Sequence, residues 1–246
     1  GGAVGMSTGL IYRPGMYSPP EEIIALHKVA ASYGGIYATH MRSEGADILA
    51  AIDEALRVGR EAGCRVEISH FKRPVDGARQ SGGAETTLGK VYEARYHGEE
   101  VWLDQYPYTA ASTSISVMLP DWVYDAGDKE AMKRLNDPQQ VDRILADMKQ
   151  SYEGKRNRTS LGYAVISSYK HDPSLAGRDL FQVAQIFKLR AQHVGGELLS
   201  SAPKQLPPVT MDDQYRAIIE ICRNGGASCV FHSMGETEVQ EIMRCP

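Results

Sequence analysis

The chain of 246 residues is long enough for one α/β barrel or for two small domains. Its hydrophobic content of 42%, charged content of 24% and net charge of −4 suit a soluble globular protein, and they give no electrostatic case for a nucleic-acid or membrane partner. No apolar run approaches the roughly 18 residues of a membrane-spanning helix, and the first residues lack a signal-peptide pattern. The four cysteines lack the paired spacing of a zinc ribbon or a disulfide framework, so we expect reduced thiols and a cytoplasmic protein.

The first part of the chain alternates strand patterns with helix patterns. The predicted strands cover residues 3–11, 36–40, 65–70 and 101–108, and the predicted helices cover about 18–34, 46–62 and 87–97. A polar, glycine-rich loop at 73–83 separates the third strand from the next helix. Strands and helices in this alternation favour a parallel sheet with right-handed crossovers.

The alternation changes after Tyr108, where small hydroxyl residues dominate. Farther along, the patterns predict a helix pair at 129–152, a strand at 162–168, helices at 179–194 and 212–224, a strand at 227–231 and a helix at 238–244. We interpret 1–119 as barrel strands and helices, 120–210 as an inserted lid subdomain, and 211–246 as a return to the barrel that stops before its last strand.

Two histidines, His40 and His70, each end a predicted strand, and they are separated by one loop and one helix. A βαβ unit of this kind places both imidazoles at the end of the sheet that carries the chemistry in a parallel barrel. A single histidine on a strand is usually a hydrogen-bonded core or surface residue, whereas two at neighbouring strand ends can share a metal ion. Because a catalytic zinc takes about three protein ligands plus water, further ligands would have to come from elsewhere.

Polar residues follow the second histidine and the fourth strand. Lys72 lies two residues beyond His70 and therefore points to the same side, where it can bind a substrate carboxylate or simply be solvated. Tyr106 and Tyr108 alternate in the same way, and with Ser112 their hydroxyls can bind a polar ligand. Ordinary aromatic packing is the alternative for the two tyrosines.

Together with their neighbours, these residues form motifs that resemble the N-acyl-D-amino-acid deacylases (D-aminoacylases) of the amidohydrolase superfamily. The motifs appear in family order along the chain: GLIYRPG at 9–15, YATHMRSE at 37–44, ISHFK at 68–72, DQYPYTA at 104–110, LPDWV at 119–123 and FHSM at 231–234. Several motifs in register are far more specific than any one of them alone.

The resemblance implies an α/β fold, the central part of a distorted (β/α)8 TIM-type metal-dependent hydrolase barrel with an inserted helical lid. It implies a Zn²⁺ cofactor with His40 and His70 as two of its ligands. It also implies a pocket for the α-carboxylate of the substrate, formed by Lys72, Tyr106, Ser112 and Tyr12.

Other parts of the family pattern do not occur in the 246 residues. The His-x-His pair and the zinc-ligand cysteine belong upstream, and the general-base aspartate of a Ser-Asp-Gly motif is expected just after Pro246. We therefore expect the chain to be an internal fragment that carries half of the metal site and no catalytic residue, and to be inactive on its own.

The activity that the resemblance implies is zinc-dependent hydrolysis of the amide bond of N-acyl-D-amino acids, which releases a carboxylate and a D-amino acid. Two alternatives stay open from the sequence. One is a related amidohydrolase that acts on cyclic ureides or dipeptides, like a D-hydantoinase or a dihydroorotase. The other is a non-catalytic barrel that binds a small molecule.

Overall fold

The computed structural model describes residues 2–73, 83–192 and 206–246. Most of the predicted loop at 73–83, and the end of the helix predicted at 179–194, lie outside these residues. Within the described ranges, no helix is long and apolar enough to cross a membrane.

The chain divides into two compact units. The first comprises residues 1–109 and 233–246, and the second comprises residues 110–232. The boundaries thus fall at other positions than the predicted domain limits of 119 and 210. Each unit has its own cluster of buried apolar side chains.

The first unit alternates strands with helices, as the sequence predicts. Its strands are β1 (Gly5–Gly9), β2 (Ile36–His40), β3 (Val66–Ile68) and β4 (Val101–Leu103). The helices between them are α1 (Pro20–Ala31), α2 (Ile48–Ala62) and α3 (Ala84–Tyr96).

The four strands form one parallel sheet in the order β1-β2-β3-β4. Gly9 pairs with His40, and Thr39 pairs with Ile68, so the carboxyl ends of the strands meet at one edge. The predicted parallel α/β arrangement is confirmed. The fourth strand ends at Leu103 rather than at 108, and Pro107 in the following segment has no N–H to donate to a ladder.

Helix α2 shows how the sequence builds the unit. Its apolar face, with Ile48 and Ile52 fully buried, packs into the core of this unit. Gly63 ends the helix in the left-handed conformation (φ +70°), and its N–H donates to the carbonyl of Gly59. A Cβ added to Gly59 would lie 2.3 Å from Val66 Cγ2, so glycine permits the close approach of α2 to β3.

The second unit mixes a small antiparallel sheet with helices. Its strands are β5 (Ala111–Ser114), β6 (Ala164–Ser168) and β7 (Ser228–Phe231), in the order β5-β7-β6. Its helices are α4 (Asp128–Asn136), α5 (Pro138–Lys149), α6 (Leu180–Gln192) and α7 (Met211–Arg223). Short 3₁₀ segments lie at Gly15–Tyr17 in the first unit and at Ile115–Met118, Asp121–Tyr124 and Pro173–Leu175 in the second, which also has a π-helical turn at Gln150–Lys155.

The pairing of β7 differs from the sequence interpretation. The strand predicted at 227–231 is present, but it is antiparallel to β5 and β6 and does not continue the parallel sheet. Cys229 and Phe231 alternate toward the buried cluster of the second unit, which explains the choice of partners. Strand β5 was not predicted, because its hydroxyl-rich sequence lacks apolar alternation. The chain returns to the first unit only at residue 233, with α8 (Glu236–Met243).

Candidate metal and substrate site

The two histidines meet at the carboxyl-terminal edge of the parallel sheet. His40 is the last residue of β2, and His70 lies two residues beyond the end of β3. Their ring centroids are 4.3 Å apart, and Nδ1 of His40 is in hydrogen-bonding contact with Nε2 of His70. The adjacent, parallel course of β2 and β3 therefore brings together two ring nitrogens that are thirty residues apart in sequence.

The backbone at His70 takes a special conformation. Its φ of +42° lies in the left-handed region, which costs a non-glycine residue on the order of 1–3 kcal/mol. Asp104 holds this turn, since the His70 N–H donates to Asp104 Oδ1 at 2.5 Å and the Phe71 N–H donates to the Asp104 carbonyl at 2.8 Å. The turn directs the His70 ring toward His40 although the strand has already ended.

A buried ion pair lies behind the His70 ring. Lys72 is only 5% exposed, and its Nζ donates to Glu44 Oε1 at 2.5 Å and to the His70 carbonyl at 3.1 Å. The same Glu44 oxygen lies 3.0 Å from His70 Nδ1, and Lys72 Nζ lies 2.8 Å from that nitrogen. Glu44, His70 and Lys72 thus form a compact triangle of polar atoms.

The charges in the site follow from burial and from these contacts. Burial and the neighbouring His70 lower the pKa of His40, which favours the neutral imidazole that binds metals. Burial opposes the ionisation of Glu44, but the hydrogen bond from His70 and the charge of Lys72 outweigh it and lower the pKa of the carboxyl. Burial also lowers the pKa of Lys72, against the attraction of Glu44.

Two tyrosines border the histidines. The Tyr12 ring stands edge-on to His40 at a centroid distance of 5.6 Å, and the Tyr106 ring lies 6.5 Å from that of His70. Lys72 Nζ is 5.7 Å from the Tyr106 ring centroid, within cation–π range. Burial raises the pKa of Tyr106, so its hydroxyl keeps its proton at neutral pH.

The structure therefore brings together five of the six residues that the resemblance assigns to the metal ion and to the carboxylate pocket. The five are Tyr12, His40, His70, Lys72 and Tyr106. The sixth, Ser112, lies on β5 in the second unit. A further histidine, His27, is fully buried in the first unit, where its ring nitrogens face the carbonyl oxygens of Ile23 and Met6.

The histidine pair fits two ligands of a metal ion but does not make a complete set. Nδ1 of His40 and Nε2 of His70 are imidazole donors that face one another, as two ligands of one ion must. In the part of the chain that the structure describes, no three His, Cys, Asp or Glu side chains form a metal-binding group. All four cysteines are free thiols.

Three acidic residues of this site were not predicted as site residues. Glu44 and Asp104 contact His70 directly, and Glu67 Oε2 accepts a hydrogen bond from the Ser69 hydroxyl at 2.8 Å. Glu67 Oε1 is buried without a hydrogen-bond partner. The alternation of strand residues places Glu67 and Ser69 on one face of the strand predicted at 65–70, which is a weak sequence signal for a site residue. The loop position of Glu44 gives no periodicity from which its contact with His70 could be predicted.

The environment of the Glu67 carboxyl predicts that the stability of the protein depends on pH. Burial, together with the nearby Asp104 carboxylate, raises the pKa of Glu67 to about 7. The folded state then holds a proton that the unfolded state releases near the ordinary glutamate value, so the free energy of unfolding falls as pH rises between these two values. Over this pH range, we expect the free energy of unfolding of Glu67→Gln to fall by about 1–2 kcal/mol less than that of the wild type, after allowance for solvent screening.

Urea unfolding of the metal-free protein at about pH 5 and about pH 7.5 measures this effect. Glu100→Gln, which makes the same change at an exposed position before β4, is the matched control and should keep the wild-type pH dependence. Equal pH dependence in the wild type and in Glu67→Gln would contradict the assignment.

Comparison with known proteins agrees with the resemblance found in the sequence. D-aminoacylase from Alcaligenes xylosoxydans xylosoxydans is 36% identical over 183 residues, which cover 74% of this chain and 29% of the relative. N-acyl-D-glutamate deacylase from the same organism is 41% identical over 120 residues, which cover 49% of this chain and 24% of the relative. No family model matches the chain.

Solved structures show the same relationship. A crystal structure of D-aminoacylase, described as defining a novel subset of amidohydrolases, matches 99% of this chain with a TM-score of 0.64 and 28% identity, over 37% of its own length. A D-aminoacylase structure with a binuclear metal centre matches with a TM-score of 0.63 and 28% identity. The N-acyl-D-glutamate deacylase of Bordetella bronchiseptica, in complex with zinc and a phosphonate inhibitor, shares the fold with a TM-score of 0.65 and 24% identity.

The fold and the relatives together place the chain among proteins homologous to amidohydrolases. More narrowly, it is a homologue of the N-acyl-D-amino-acid deacylases, the family that its motifs resemble. The chain spans 22% to 29% of the length of these curated relatives.

Proposed function

We propose that the protein hydrolyses the amide bond of N-acyl-D-amino acids with the help of zinc and releases a carboxylate and a D-amino acid. The observation that carries this proposal is the meeting of His40 Nδ1 and His70 Nε2 beside the buried ammonium of Lys72. The deacylase relatives support the reaction class.

In this proposal His40 and His70 hold the metal through neutral imidazoles. A bound zinc ion supplies a Lewis acid for the amide carbonyl and lowers the pKa of a water molecule. Zinc in the N-acyl-D-glutamate deacylase of similar fold, and the binuclear metal centre of D-aminoacylase, support this assignment. The proton-transfer group is not assigned to any residue of the chain.

The substrate side of the site is assigned to Lys72, Tyr106 and Tyr12, which all lie in the first unit. The Lys72 ammonium donates to Glu44 and to the His70 carbonyl, and when His70 Nδ1 carries the imidazole proton the third hydrogen of Lys72 can bind the α-carboxylate of the substrate. The protonated hydroxyl of Tyr106 donates a second hydrogen bond, and Tyr12 lines the entrance beside His40. Two contacts to one carboxylate fix the orientation of that group, and selection of one enantiomer further requires fixed positions for the amide and for the side chain of the substrate.

The proposal extends to the architecture. The parallel sheet of the first unit is assigned to the central part of a (β/α)8 TIM-type barrel, as in the amidohydrolases. The first unit, residues 1–109 and 233–246, is assigned to the barrel, and residues 120–210 of the second unit are assigned to an inserted lid subdomain.

The full-length protein, loaded with zinc, tests the proposed function in a substrate panel. N-acetyl-D-amino acids should be hydrolysed, and their L-enantiomers, cyclic ureides and dipeptides should be hydrolysed at least about 100-fold more slowly in kcat/KM. Removal of the metal with a chelator should abolish the reaction, and added zinc should restore it. Faster turnover of a cyclic ureide or a dipeptide, or activity that survives metal removal, would refute the proposal.

A further inference from the structure

We propose that Glu44 is a positioning residue that selects the metal-binding tautomer of His70 and ties it to the substrate-binding Lys72. The inference rests on the proposed function and adds to it a residue with a defined task. It starts from the single carboxylate oxygen, Glu44 Oε1, that lies 3.0 Å from His70 Nδ1 and 2.5 Å from Lys72 Nζ.

A neutral imidazole carries one proton, so His70 has two possible tautomers. If the proton is on Nε2, that nitrogen can donate to His40 Nδ1, and Nδ1 of His70 can accept from Lys72 at 2.8 Å. If the proton is on Nδ1, it can be donated to Glu44, and the lone pair of Nε2 points toward His40. Only the second tautomer leaves Nε2 free to bind a metal.

Lys72 and Glu44 therefore favour opposite tautomers of His70. An ammonium group is a donor without a lone pair, so Lys72 favours the tautomer that cannot bind metal through Nε2. Glu44 is the nearby acceptor that can take the Nδ1 proton, and it engages the Lys72 ammonium through the same oxygen. Ligand histidines in metalloproteins generally donate their second N–H to a carboxylate or a carbonyl, which fixes the ring and raises its basicity.

Burial makes this arrangement rigid. The Glu44 side chain is 14% exposed and that of Lys72 is 7% exposed, so water competes little for either group. Removal of the carboxylate charge would leave the Lys72 ammonium next to His70 Nδ1 without its counter-ion. Metal affinity and carboxylate binding should then both weaken, because one side chain supports both.

Zinc affinity of the full-length protein, measured by competition with a chromophoric chelator, tests the role of Glu44. We expect Glu44→Gln to weaken zinc binding by about 10- to 100-fold. The matched control is Glu54→Gln, because Glu54 is similarly shielded, with a side chain 13% exposed, and is paired with Arg42 at 2.7 Å. The control should bind zinc as the wild type does, and Glu44→Asp should recover part of the loss.

A spectroscopic measurement on the wild type covers the case in which Glu44→Gln does not fold. In the zinc-loaded protein, an imidazole ¹⁵N correlation spectrum should show His70 protonated at Nδ1, with a proton protected from exchange with water. A His70 protonated at Nε2, or an Nδ1 proton that exchanges freely, would overturn the inference.

The outcomes separate this inference from the proposed function. A wild type that binds zinc and deacylates, together with a folded Glu44→Gln variant of unchanged zinc affinity, overturns the role of Glu44 and leaves the function standing. A wild type that binds no zinc overturns both. Loss of zinc affinity in Glu44→Gln with wild-type affinity in Glu54→Gln supports the assignment.

Discussion

In the full-length protein, replacement of His70 by alanine is expected to lower kcat/KM for N-acyl-D-amino acids by on the order of 10³-fold or more, and to lower the zinc content of the purified protein. The physical reason is that His70 supplies one of the two imidazole nitrogens that meet at the end of the sheet, and that the described residues contain no group of three His, Cys, Asp or Glu side chains that could hold a metal ion instead. Steady-state kinetics and zinc analysis by mass spectrometry measure the two effects.

Two further variants separate loss of the ligand from other consequences. His97→Ala makes the same change at an exposed residue that ends α3, at the opposite end of the sheet, and should retain activity and zinc. His70→Asn removes the imidazole but tolerates the left-handed backbone better than alanine, so it should fold at least as well as His70→Ala and remain inactive. Full zinc content in both His70 variants would show that His70 is not a ligand.

Replacement of Lys72 by methionine is expected to lower kcat/KM for N-acyl-D-amino acids by roughly 10- to 100-fold, mainly through a higher KM. Lys72 holds the only positive charge assigned to the substrate carboxylate among the described residues, and its burial makes that charge effective. The change also leaves Glu44 without its cation, which should cost about 3 kcal/mol of stability. Kinetics must therefore be measured below the lowered unfolding temperature.

A neutral substrate isolates the carboxylate contact. For the primary amide of the same N-acyl-D-amino acid, Lys72→Met should change kcat/KM much less than for the acid, so that the preference for the carboxylate disappears. Lys90→Met is the matched control, because Lys90 also pairs with a carboxylate, Asp53 at 2.6 Å, but on the helical surface. An undiminished preference for the acid in Lys72→Met would place the carboxylate elsewhere.

Much of the first unit could be predicted from the sequence. Helix α2 was predicted closely, because its apolar residues recur with helical spacing and Gly63 ends it. The strands that end near His40 and His70 followed from short apolar runs between helices. The second unit was harder, because β5 has no apolar alternation and the antiparallel partners of β7 lie far away in sequence.

Local periodicity and residue types suffice to predict the order of strands and helices, the two histidines at neighbouring strand ends and Lys72 on the same side. The contacts of Glu44 with both His70 and Lys72, and the hydrogen bond by which Asp104 holds His70 in a left-handed turn, are seen only in the folded chain. These contacts join a loop after β2 and a segment after β4 to the end of β3. Their geometry depends on the packing of three parallel strands, which no local pattern encodes.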